Sequence, residues 1–264
     1  MKSGGWSSPR YQSARERAWH LSILMAHEAI AWCTHAMDTG EPTALQWSAD
    51  ASALDSEALP QAPASVSFVT LPEWSTLVPE AALEPGTEAA HLRLVHGGLP
   101  TGALRNEPFD SLGAVCIYVH DDERERMVLD RFPGAQPVPM QALMLRGALA
   151  LAGEGPALLL HRSHDRLDAA VADQGRVLLT NTYPAKSSQD ALYYALLAAE
   201  GCGLRPGDLM LHHGGTHLTA HERDLLKRYF PRERDAAARW PALQGAGLDP
   251  FRWSALLEQF ACAS

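Results

Sequence analysis

Two stretches of the chain share one pattern of apolar and polar positions. From Trp19 the sequence reads "WHLSILMAHEAIAWCTHAMDTGEPTALQW", and from Ala157 it reads "ALLLHRSHDRLDAAVADQGRVLLTNTYPA". Each holds three apolar runs of strand length parted by short polar turns. In the first, Trp19–Met25, Ala29–Ala36 and Ala44–Trp47 are predicted strands, with turns at "AHE" and "DTGE". In the second, Ala157–Arg162, Leu167–Ala172 and Val177–Asn181 are predicted strands, with turns at "SHD" and "DQGR". Asp38-Thr39-Gly40 and Asp173-Gln174-Gly175 take the same place in each unit, where glycine supplies the positive φ of a tight turn. The recurrence predicts an internal duplication.

After each meander the pattern changes to alternating strands and helices. "ASALDSEALPQAPAS" is loop-like, "SVSFVTLPEWSTLVP" reads as one or two strands, and "EPGTEAAHLRLVHGGLPTG" has no clear period. "AVCIYVH" is a buried strand, "DDERERMVLDRF" a helix with acids in its first turn, "AQPVPM" a short strand and "QALMLRGALALAG" a helix. The second half follows suit. "SSQDALYYALLAAEG" is a helix with Ser187 as N-cap and Asp190 at the third position, stopped by Gly201 or Gly203. "DLMLHHGG" is a strand, "TAHERDLLKRYF" a helix with Thr219 and Glu222 in capping-box spacing, and "FRWSALLEQFA" a final helix. Strands alternating with helices imply a parallel sheet with helical crossovers. The expected class is therefore α/β, a duplicated ribonuclease-H-like fold of the kind shared by actin, sugar kinases and Hsp70 chaperones, with a cleft between two subdomains. The expected halves are 18–153, with an inserted segment around 49–111, and 154–264. Residues 1–17 read as a disordered tail.

The net charge of −9 and the absence of a basic stripe argue against a nucleic-acid partner. Cys33, Cys116, Cys202 and Cys262 are far apart without a C-x-x-C pair, which points to a reduced, cytoplasmic setting and away from zinc or redox chemistry. The first residues lack the apolar core of a secretory signal, and no apolar run of about 20 residues predicts a membrane span.

"VLLTNTYPAKSSQDALYYALL" followed by "LMLHHGGTHLTAHERDLLKRYF" resembles the domain of unknown function 3822. That family comprises uncharacterised bacterial proteins, mainly of the Bacteroidetes, with an actin-like ATPase fold. Asn181, Asp190, Tyr193 and Tyr194 match its strand end and helix, and Leu77-Val78-Pro79 fits as well. The segment from Ala114 to Ala150 is similar, less closely, to the pilus-assembly and cell-division members of the actin superfamily. The resemblance implies a nucleotide cleft, with ATP as the one cofactor to consider. In active members an Asp and a Gly sit in the first hairpin of each half, the Asp acting through magnesium and the glycine amides cradling phosphates.

Here the first hairpin carries His27 and Glu28 and no glycine; the second carries Asp165 and no glycine. Gly214 and Gly215 have the form of the superfamily's adenosine-packing strand end, which also serves a turn needing positive φ. His212, His213, His217 and His221 do not share a face, so a metal site is not expected. Ser163-His164-Asp165 are consecutive and cannot make triad geometry. No catalytic residue is assigned. The expectation is a non-catalytic binding or scaffolding protein, acting on another cytoplasmic protein, with a degenerate nucleotide site at Gly214, Gly215 and Asp165. Asn181, Asp190, Tyr193 and Tyr194 are expected at the cleft or a partner surface. The rival is a nucleotide-binding ATPase with altered phosphate loops; a metal-dependent hydrolase built on the histidines is the third class.

Overall fold

A computed structural model describes residues 2–233 and 239–263. In chain order the first part contains β1 (Gly4–Ser7), β2 (Trp19–Met25), β3 (Ile30–Ala36), β4 (Pro42–Ser48), β5 (Ser65–Thr70), β6 (Glu73–Pro79) and α1 (Glu88–His96). It continues with β7 (Leu104–Phe109), β8 (Ala114–His120), α2 (Asp122–Arg131), β9 (Gln136–Pro137) and α3 (Met140–Leu151). The second part contains β10 (Ala157–Ser163), β11 (Arg166–Asp173), β12 (Arg176–Pro184), α4 (Ser188–Gly201), β13 (Met210–Gly214), α5 (Ala220–Tyr229) and β14 (Arg232–Glu233). Three short helices close the described chain: α6 (Pro241–Gly245), α7 (Ser254–Leu257) and α8 (Phe260–Ala263).

The duplication is visible in the pairing. One sheet runs β1-β4-β3-β2-β5-β9 and another β12-β11-β10-β13-β14. Without β1, both are an antiparallel three-strand meander whose first strand then pairs in parallel with the fourth, and the fourth with the fifth. This is the ribonuclease-H-like sheet, present twice. Gly40 (φ 70°) and Gly175 (φ 73°) turn the two meanders at matching places.

Three expectations need correcting. The tail is not featureless, because Gly4–Ser7 pairs antiparallel with β4 and Trp6 packs against the core. Gly4 allows this approach, since a Cβ there would meet the Trp47 ring at 2.5 Å. Ala114–His120 does not join the first parallel sheet. It is the central strand of a third, antiparallel sheet, β6-β8-β7, backed by α1. Ser65–Thr70, inside the stretch read as an insertion, instead pairs in parallel with β2 as the fourth strand of the first sheet.

The halves share their main core. Leu24, Leu45 and Val69 of the first sheet join Leu159 and Ala170 of the second through α3 and α7. Helix α3 follows the first sheet but packs on β10, β11 and β12, and α7 follows the second sheet but packs on β2 and β3. The exchange joins the halves at one end, leaving their β2–β3 and β10–β11 hairpins facing each other. Among the described residues no helix is long and apolar enough to cross a membrane.

Candidate functional site

The two facing hairpins turn at equivalent places in their sheets, and each turn carries a histidine followed by an acid: His27-Glu28 and His164-Asp165. The His27 and His164 rings stack at 4.8 Å with a 15° interplanar angle. His217 meets His164 edge-on at 5.4 Å. The Thr216 hydroxyl donates to the Glu28 carboxylate, and the Arg166 guanidinium donates to the Glu73 carbonyl. These four contacts tie the hairpins to each other and to the segments following β5 and β13. Between them remains a hollow of about 350 Å³, lined by His27, Glu28, Leu71, Pro72, His164 and Asp165 among others.

The two arginines of the second hairpin are committed inside the fold. Arg162 is buried and donates to the carbonyls of Ser163, His164 (3.0 Å) and Arg166 (3.3 Å), with Glu222 at 3.4 Å. It therefore shapes the second hairpin from within. Arg166 pairs with Asp168 at 2.6 Å and reaches Thr182 at 3.2 Å. Burial opposes ionisation of Asp168, but the Arg166 guanidinium and the His161 ring outweigh it and hold the carboxyl down to about 2. Burial raises the Glu222 carboxyl against the pull of Arg162. Arg166 also lines the hollow, with its guanidinium engaged by Asp168, Thr182 and the Glu73 carbonyl.

Gly214 and Gly215 lie at the end of β13, beside this hairpin. Their Cα faces are covered by the chain itself. A Cβ on Gly215 would overlap the Arg162 backbone, with its nitrogen at 2.6 Å, and one on Gly214 would lie 2.6 Å from the Phe251 carbonyl. Gly215 has φ 119°, and its N–H donates to that carbonyl at 2.9 Å. The glycine pair serves close backbone packing against Arg162, Phe251 and Ser254. The structure thus brings Gly215 and the Asp165 hairpin together.

Asn181, Asp190, Tyr193 and Tyr194 gather elsewhere, at the outer edge of the second sheet. Ser187 and Asp190 form the anticipated capping box, the Asp190 carboxylate accepting from the Lys186 and Ser187 amides at 2.9 Å. Those bonds and the Ser187 hydroxyl depress the Asp190 pKa. Tyr194 stacks on Tyr183 at 4.6 Å and 13°, and Tyr193, 60% exposed, meets Tyr194 edge-on at 5.1 Å. Alternation along β12 puts Asn181 on the Tyr183 face. Tyr183 was missed in the sequence, although its spacing of two from Asn181 was the signal. The His-acid pair repeated in both turns is legible in the sequence, whereas the contact between the two is not.

Asn181 further lines a groove of about 490 Å³ between β12 and β6. Each of these strands is the outermost of its sheet. Leu77, Pro79, Gln141 and Thr180 line it too. Among the described residues no group of three or more histidine, cysteine or acidic side chains is placed to hold a metal ion.

Comparison with known proteins agrees with this architecture. The family model described as "Protein of unknown function (DUF3822)" matches residues 56–232. A solved protein of Bacteroides thetaiotaomicron, with an actin-like ATPase fold and unknown function, superposes with a TM-score of 0.73 at 14% identity, covering 87% of this chain and 97% of its own. The PilM–PilN type IV pilus biogenesis complex superposes with a TM-score of 0.53 at 14% identity, covering 90% and 96%. No curated protein matches the chain. With a matched family model spanning most of its length and the ribonuclease-H-like sheets paired into one actin-like ATPase fold, the chain belongs to the DUF3822 family of proteins of unknown function.

Proposed function

We propose that this chain is a non-catalytic binding protein of the cytoplasm, an actin-fold relative whose nucleotide site has degenerated. The observation that carries the reading is the contact between the hairpins. Phosphoryl transfer needs a metal and aimed donors around the phosphates. At that position the chain has His27 stacked on His164, Glu28 bonded to Thr216, and no hairpin glycine whose amide could cradle a phosphate. The acids Glu28 and Asp165 would repel a polyphosphate that lacked such donors.

Partner binding is supported by surface that burial and capping leave unused. Tyr193 is exposed at the head of an aromatic ladder, and the groove between β6 and β12 is bordered by the outermost strands of two sheets. The PilM–PilN complex supplies a precedent in which this fold is assembled with a partner.

ATP turnover with magnesium tests the reading. Background turnover is expected. Turnover above background that is lost in Asp165→Asn would replace it with that of an ATPase with altered phosphate loops.

A further inference from the structure

A cavity of about 190 Å³ lies away from the facing hairpins, between α3, β10, β13 and the C-terminal segment. Leu143, Met144 and Leu151 of α3 face Leu159 of β10 and Ala255 of α7 across it, all buried. His161 also lines the cavity. It is 1% exposed, and neither ring nitrogen has a hydrogen-bond partner. Alternation along β10 places His161 on the Leu159 face, which packs toward α3. An unpaired buried polar atom is costly, and buried polar atoms are normally satisfied.

The neighbours decide what the ring needs. His161 Nδ1 is 3.9 Å from Asp168 Oδ2, and Asp168 is held ionised beside Arg166. With its proton on Nδ1, toward that carboxylate, the neutral ring leaves its lone pair on Nε2. That lone pair calls for a donor, on a wall where His212 and Ser254 stand beside the apolar side chains. At the rim, Arg239 donates to Glu258 at 2.6 Å, so these opposite charges cancel, and among the described lining residues no other cation draws in a carboxylate. Size narrows the class further. An apolar cavity of about 150 Å³ accepts benzene; this one has room for a six-membered ring and one small substituent.

We propose that this cavity binds a small, neutral, ring-shaped molecule bearing one O–H or N–H donor, the phenol class, with the donor on His161 Nε2. Because α3 follows the first sheet and β10 belongs to the second, such a ligand bridges the two halves.

The test titrates the 264-residue chain with phenol, anisole, toluene and benzoate, by calorimetry and by the imidazole nitrogen resonances. Phenol is expected to bind at least about ten-fold tighter than anisole or toluene, which lack the donor. It should also move the His161 Nε2 resonance. In His161→Leu, phenol should fall to the toluene level while toluene still binds, because the apolar wall remains. Equal binding of phenol and anisole, benzoate binding tightest, a phenol preference that survives His161→Leu, or no binding of any probe would each overturn the proposal. Should His161→Leu fail to fold, the unmodified chain decides: a bound phenol that leaves the Nε2 resonance unmoved also overturns it.

Discussion

Gly215 carries φ 119° with the Arg162 backbone where its side chain would be. Both the backbone conformation and the space are closed to any other residue, so Gly215→Ala is expected to destabilise the chain by at least about 2 kcal/mol. Urea unfolding measures this; an unchanged midpoint would refute the packing role. Histidines give a second prediction. Burial pushes His35 down to about 4 from 6.5, against the carbonyls of Gly40 and Leu256. Burial and then His35 push His20 down to about 4 as well. The folded state therefore binds fewer protons than the unfolded chain between these values. Stability is fully present above about pH 6.5 and lost as pH falls toward about 4, by on the order of 3 kcal/mol for one such group. His35→Gln should flatten the fall in the urea midpoint between pH 7 and 4.5; an identical slope would contradict the assignment. Residue-level chemistry was only partly legible in sequence. The missing hairpin glycines could be read directly, whereas the stacking of His27 on His164 joins positions 137 apart and emerges only from the duplicated fold.

At the scale of elements, local signals served best where they were complete. Ser187 and Asp190 announced the capping box of α4, and Ser187→Ala is expected to cost about 1 kcal/mol in thermal unfolding. Tyr194→Ala should cost more than Tyr193→Ala, because Tyr194 loses its stack on Tyr183 while Tyr193 is exposed. Equal effects would undo the ladder as described. Both meanders were legible because period and turn chemistry agreed. Ala114–His120 was read as a strand but given to the wrong sheet, since an apolar run states burial and not pairing partners. The final helix was drawn too long. It is broken between α7 and α8, near Gln259, whose buried amide donates to the Ile23 carbonyl at 3.1 Å while its oxygen accepts from Ser67 at 2.9 Å. Nothing local in the sequence marks that long-range anchor.

For the whole molecule, the exchange of α3 and α7 gives the two sheets a common core, so the halves are expected to unfold together in a single transition. The same arrangement brings the two hairpins together, at the place proposed above as the degenerate nucleotide site. The central claim is that the chain's own side chains occupy this position, and thermal unfolding with and without magnesium-ATP tests it most directly. The account expects the same transition temperature in both conditions. A rise that grows with ATP concentration, reaching the roughly 2.7 kcal/mol due at about 100 times the dissociation constant, would contradict it.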